Sequence, residues 1–179
     1  KQKTAYEISL GLVGSEMCIR DRYKIKEVLK KAMKKKIRFS IGADNKSKCV
    51  SIAKEYLIEN KYSFNEYGSL AGDGLNWVEV AKKVSKDIQE KKSDYGILFC
   101  HTGTGVTIVA NKFKGIRAAL CNNKLVAEGA RKWNDANVLG IGVMSVKDDE
   151  IKEILSTWIN TNVDSSELSN IKKISEFEL

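Results

Sequence analysis

The sequence predicts an α/β protein whose parallel sheet is covered by helices on both faces. Three observations carry this. Short apolar runs bounded by glycine or polar turns alternate with segments of helical spacing. One run, YGILFC at residues 95–100, is apolar almost without a break, as a strand covered on both faces must be. Successive strands are separated by helix-length segments and short connections, the pattern of parallel crossovers.

The elements follow in order. IRFSIGAD (37–44) reads as a strand ending in a loop. CVSIAKEYLIENK (49–61) places Val50, Ile52, Ala53, Tyr56 and Leu57 at helical spacing. YSFNEYGS (62–69) is the second strand, and residues 76–92 form an amphipathic helix with Val80, Val84 and Ile88 four residues apart. After the apolar strand come a short helix over TIVANKF (107–113), a strand over IRAALC (116–121) and a helix over 123–135. NVLGIGV (137–143) is the fifth strand, and residues 148–162 put Ile151, Ile154, Leu155 and Trp158 on one helix face. Residues 165–179 read as a polar tail with helical character.

Organisation precedes chemistry. Lys1–Arg22 has neither amphipathic period nor signal-peptide design, and KQKTAYEI and GLVGSEMCIRD resemble a sequencing-library adapter translated in frame. Residues 1–22 are therefore expected to be artefactual, Cys18 included. Residues 23–32 are either leader or a short basic helix, and 33–179 is the expected domain, beginning at Met33. That length can bury about 70% of the unfolded surface in one core. The net charge of +8 overstates the domain's basicity, since residues 1–32 hold eight Lys/Arg against four Asp/Glu. The remaining lysines are scattered through helical segments, so a solvated surface is expected rather than a nucleic-acid partner. No spanning apolar run is present, so neither membrane insertion nor a membrane partner is expected, and the expected location is cytoplasmic. Cys49, Cys100 and Cys121 lack paired spacing and there is no CxxC, so neither a disulfide framework nor a metal is expected. No cofactor motif is visible, and without a GxGxxG after the first strand a nucleotide-binding domain is disfavoured.

In such sheets ligands gather at the carboxyl ends of the strands. Asp44, Cys100 with Thr102–Gly105, and Cys121 with Asn122 all fall there. Thiols at helix N-termini ionise more readily, and Gly103 and Gly105 let backbone amides approach an anion. A base and donors aimed at developing negative charge are what proton abstraction beside a carbonyl requires.

The stretches GILFCHTGTGVTIVANKFKGIRAALC (96–121) and NDANVLGIG (134–142) resemble the type B ribose-5-phosphate isomerases and galactose-6-phosphate isomerases, and the resemblance covers 33–179. It implies a Rossmann-like three-layer α/β/α sandwich with a five-stranded, mainly parallel sheet, forming a homodimer or dimer of dimers. It implies an aldose–ketose isomerase that takes a sugar phosphate through a cis-enediolate, with no cofactor. Cys100 would be the base, with Thr102 beside it as the second catalytic residue. Amides of Gly103, Thr104 and Gly105 would hold the enediolate oxygen. Asp44, Asn45, His101 and Asn134 would contact substrate.

Four departures from the family pattern stand out. Asn45 follows Asp44 where the family has histidine. Trp133-Asn134-Asp135 replaces His-Asn-Asp, which removes the ring-opening imidazole. Glu167 falls where a phosphate-binding arginine is expected, with only Lys172 and Lys173 nearby. Asn76, followed by Trp77, stands for an aspartate. Three readings follow: an open-chain or short substrate, ring opening by another group, or an inactive binding or hetero-oligomer subunit.

Several residues admit a purely structural role. Cys100 could be a buried thiol ending a core strand, although catalysis is favoured. Cys49 and Cys121 are read as structural. His101, the only imidazole, should point away from Cys100 if the segment stays extended, favouring loop packing. Asp44 could cap the helix after it, and Asn134 could terminate one. Trp133 is expected to fill the missing histidine's space, and Trp158 to be core or dimer contact.

Overall fold

The computed structural model describes residues 37–178. The adapter-like 1–22, the segment 23–32 and the Met33 start lie outside the described residues. Five strands, β1 (Arg38–Ala43), β2 (Ser63–Gly68), β3 (Tyr95–Cys100), β4 (Ala118–Leu120) and β5 (Val138–Gly142), pair in the order β2-β1-β3-β5-β4. Every neighbouring pair is parallel, so the expected sheet is present and is parallel throughout. The crossovers are α1 (Lys48–Glu59), α2 (Trp77–Gln89), α3 (Thr104–Ala110) and α4 (Lys124–Asn134), followed by α5 (Ile151–Asn160) and α6 (Leu168–Ile174).

Strand alternation sorts the core into two layers. Phe39, Ile41, Ile97, Phe99, Leu139 and Ile141 face α1, α4 and α5, where they meet Val50, Leu57, Ala127, Ile154 and Trp158. Leu98 and Val138 face α2 and α3, meeting Val80, Val84, Val106 and Ala110. Trp158 is fully buried, which decides its role for the core. On the α2 side the sheet carries small residues: a Cβ on Gly96 would stand 2.7 Å from a methyl of Val84. Glycine there is what lets α2 lie close on the central strands.

The buried carboxylate inside this layer is paired, although the Ser85 hydroxyl has no hydrogen-bond partner among the described residues. Asp87 is 4% exposed, and its Oδ2 accepts hydrogen bonds from Ser40 Oγ (2.6 Å), Tyr67 OH (2.7 Å) and Asn65 Nδ2 (2.9 Å). Burial alone would push its carboxyl up, but the bonds from Ser40, Tyr67 and Asn65 outweigh burial and hold it below the usual carboxylate range. Among the described residues no helix is long and apolar enough to cross a membrane.

Two elements depart from expectation. The third helix begins at Thr104, not Thr107, because Gly103 takes the left-handed conformation (φ 76°) at its N-cap and turns the chain from strand to helix in three residues. Strand β4 is only three residues long, although Cys121 N still donates to Gly140 O at 2.8 Å. The polar tail holds α6 between short 3-10 turns.

Candidate active site

Register assembles the site. β1 and β3 pair with Ala43 opposite Phe99, so Asp44 and Cys100 leave adjacent strands side by side at the carboxyl edge. The Cys100 Sγ lies 3.9 Å from Asp44 Oδ2. Both line a cavity of about 180 Å³ together with Asn45, Lys46, Ser47, Phe99, His101 and Val143. The capping alternative for Asp44 is overturned: Ser47 caps α1, its side chain accepting from Val50 N at 3.3 Å.

The extended segment that would point His101 away from Cys100 does not form here, and His101 is exposed. The strand ends at Cys100, and the chain bends at once. Val143 N and Met144 N donate to the Cys100 and His101 carbonyls at 3.0 and 3.1 Å, which pins the bend against the end of β5. Strand alternation therefore no longer applies, and His101 lines the same cavity as Cys100.

The turn after it is built from close backbone contact. A Cβ on Gly103 would come within 2.7 Å of Gly142 N and 2.8 Å of Ile141 C. Glycine is thus needed at Gly103 both for φ and for space. Thr102 Oγ1 and Thr104 Oγ1 share a hydrogen bond of 2.7 Å. Thr107 Oγ1 donates to Gly103 O at 2.8 Å and closes the first turn of α3. Amides in a first helical turn have no intrahelical acceptor, so those of Thr104 and Gly105 remain available for an anion. Gly105 also makes room for Trp77, whose ring carbon lies 3.0 Å from where a Cβ would be.

Asn134 is not brought to this cavity. α4 leaves the carboxyl end of β4 and runs back to the start of β5, which leaves Asn134 exposed at the amino edge of the sheet. Trp133 does not fill a buried space; it is 54% exposed, with its ring over Gly129 of its own helix. The tail lies at that edge too: Asp164 N donates to Lys132 O at 2.7 Å and Gly115 N to Glu178 Oε1 at 2.8 Å. Asn76 caps α2, accepting from Val78 N and Glu79 N at 3.0 and 3.1 Å.

Among the described residues the other two thiols are buried. Burial, then the bond to Asp148, pushes Cys49 up to about 11, and burial alone pushes Cys121 to about 12. Burial and a raised pKa both disfavour the thiolate form that reacts. Among the described residues no cluster of three or more His, Cys, Asp or Glu could hold a metal ion.

Sequence reasoning missed Lys46, Ser47 and Val143 as lining residues, and Trp77 as the neighbour of Gly105. The first two follow Asp44 directly at a strand's carboxyl end, which was the available signal. Val143 directly follows β5, and its place beside the end of β3 depends on strand order.

A parallel sheet covered on both faces, whose central strand delivers a thiol and a glycine turn to its carboxyl edge, defines a Rossmann-like α/β protein with a candidate site at that edge. The chain belongs to the Ribose/Galactose Isomerase family, whose sequence pattern matches residues 39–176. A Listeria innocua relative named ribose-5-P isomerase B is 35% identical over 106 residues, 59% of this chain and 72% of its own. A D-erythrulose-4-phosphate isomerase of Pectobacterium atrosepticum is 31% identical over 145 residues, 79% and 95% of the two chains. Among solved structures, Clostridium thermocellum ribose-5-phosphate isomerase B superposes with a TM-score of 0.74 at 30% identity, covering 79% of this chain and 97% of that one.

Proposed function

We propose that the protein interconverts an aldose phosphate and its ketose phosphate, ribose 5-phosphate and ribulose 5-phosphate or a related pair, through a cis-enediolate with Cys100 as base. The observation that carries this is the placement of Cys100: it lines a cavity at the carboxyl edge and directly precedes the Gly103 turn. The Cys100 thiolate takes the C2 proton of the open-chain aldose. The C2–H electron pair forms the C1=C2 bond, and negative charge moves to O1. The amides of Gly103, Thr104 and Gly105 are the donors for that charge, with Thr102 beside Cys100. Return of the proton to C1, with the O2 proton passing to O1, gives the ketose. Asp44, Asn45 and His101 hold sugar hydroxyls, and Asn134 reaches a site only across a homodimer or dimer of dimers. The reaction is proposed to be cytoplasmic.

Trp133 stands where the family's ring-opening histidine is expected, and Asn45 where the family has a second imidazole. That favours a substrate already open. A tetrose 4-phosphate has no free terminal hydroxyl to close a furanose ring, and the Pectobacterium relative is named for such a sugar. The lost histidines also support a second reading, a catalytically weakened subunit that only binds sugar phosphate.

The test is turnover of four- to six-carbon sugar phosphates by the wild type and Cys100→Ala. A positioned base contributes about 10²–10⁴-fold, and Cys100→Ala should lose that factor with folding intact. A folded wild type inactive on the whole panel would overturn the isomerase reading and leave the binding subunit.

A further inference from the structure

We propose that Lys46 is the phosphate anchor of this site and sets its preference for phosphorylated over free sugars. The proposal rests on the isomerase reading above and names the group that reads the far end of the substrate.

The argument starts from charge around the cavity. Among the residues lining it, Lys46 is the one lysine or arginine; Asp44 is the one carboxylate. Lys46 is exposed and also lines an adjoining groove of about 380 Å³ that runs along α1 past Ser51 and Lys54 to Ser69. Lys46 therefore borders both the Cys100 cavity and the groove beside it, within reach of the non-reacting end of a substrate seated at Cys100.

The neighbouring lysines are committed elsewhere. Lys48 Nζ pairs with Asp148 at 3.1 Å and Lys54 Nζ with Glu66 at 2.7 Å. Lys46 makes no ion pair among the described residues. Its charge borders the Cys100 cavity without a salt-bridge partner among the described residues, with Asp44 and Glu55 as the carboxylates lining the same two spaces. The C-terminal lysines do not compete within one chain, because the tail bearing Lys172 and Lys173 packs at the opposite edge, beside Lys132 and Gly115.

The chemistry fits a phosphate monoester. A dianion needs a cation at one end, while the hydroxyl-bearing carbons need acceptors such as Asp44. The two opposite charges, two residues apart, orient the substrate with its carbonyl end towards Cys100. Lysine is a point charge on a flexible stem, so it holds a phosphate without fixing its distance from the reacting carbon as a bidentate arginine would. An anchor of this kind tolerates sugars of different chain length.

The experiment uses the full chain with Lys46→Met and Lys46→Arg, and two readouts. The first is kcat and KM on each sugar phosphate that the wild type turns over. A lost charge-assisted bond should raise KM about tenfold in Lys46→Met with little change in kcat, while Lys46→Arg stays near wild type. The second readout does not need turnover: the rate of Cys100 alkylation by iodoacetamide, followed by peptide mapping, with and without inorganic phosphate. Cys49 and Cys121 are buried, and mapping separates every cysteine. Phosphate should slow alkylation of Cys100 in the wild type and not in Lys46→Met.

An unchanged KM in Lys46→Met overturns the proposal. So does phosphate that protects both proteins equally, or neither. A wild type that turns over no sugar phosphate sinks the isomerase reading alone; the protection experiment then decides Lys46 by itself.

Discussion

The two edges of the sheet use their polar side chains in opposite ways. At the amino edge, Arg131 is 6% exposed and fully engaged. It donates to Asp135 Oδ1 at 2.8 Å, Ala136 O at 2.7 Å and Tyr95 OH at 2.8 Å. Asp135 also binds Arg117 at 2.8 Å, and Asn137 Oδ1 accepts from Arg117 N at 2.7 Å. At the carboxyl edge, Cys100 and Asp44 stand 3.9 Å apart, and Lys46 has no ion partner among the described residues. Groups that satisfy one another build structure, and groups left with spare bonding capacity can receive a ligand. The contrast places NDANVLGIG, one of the two stretches that carry the family resemblance, largely on the structural side within one chain.

The sharpest way to break the contrast is to exchange its readouts. Cys100→Ala should cost about 10²–10⁴-fold in turnover while the melting temperature holds. A large loss of stability would show Cys100 to be core after all. Asp135→Ala should do the reverse. It strips a nearly buried guanidinium of its partner and should cost about 2–4 kcal/mol in denaturant titration. Asp135 sits at φ 44°, a conformation asparagine tolerates, so Asp135→Asn should lose less than the alanine variant.

Acid provides a graded test. The folded Asp87 carboxyl titrates below its ordinary value, so its stabilisation is complete above the unfolded value of about 4 and disappears as pH falls through the lower folded value. The stability advantage of the wild type over Asp87→Asn should therefore shrink as thermal melts move from pH 7 towards pH 3. A constant difference would mean that the carboxyl is not held ionised. The smallest effect belongs to a helix end: Asn76→Ala should cost about 1 kcal/mol through its lost cap, and a neutral result would assign the α2 start to packing by Trp77 alone.

Much of the fold was legible in the sequence because it rests on local patterns. Five apolar runs, the helical spacing of Val80 and Val84, and glycines at chain reversals specify elements without reference to distant residues. The start of α3 was misplaced by three residues, since a single left-handed glycine turns the chain faster than composition indicates. Cys100, Asp44 and the Gly103 turn were legible as candidate site residues because strand carboxyl ends are readable once the strands are. Lys46 was not singled out, because one more lysine in a lysine-rich chain carries no local signal; its meaning lies in the cavity it borders.

By itself the sequence determined the element order, the α/β class, the thiol and the glycine turn after it. All of these follow from backbone geometry and from which side chains can be buried. Only the tertiary structure decided that β5 lies between β3 and β4, that His101 joins Cys100 in one cavity, and that Asn134 and the C-terminal tail fall at the opposite edge. Those facts depend on strand order and register, which are set by how two helical layers pack on a twisted sheet, and a one-dimensional pattern of apolar residues does not encode that packing.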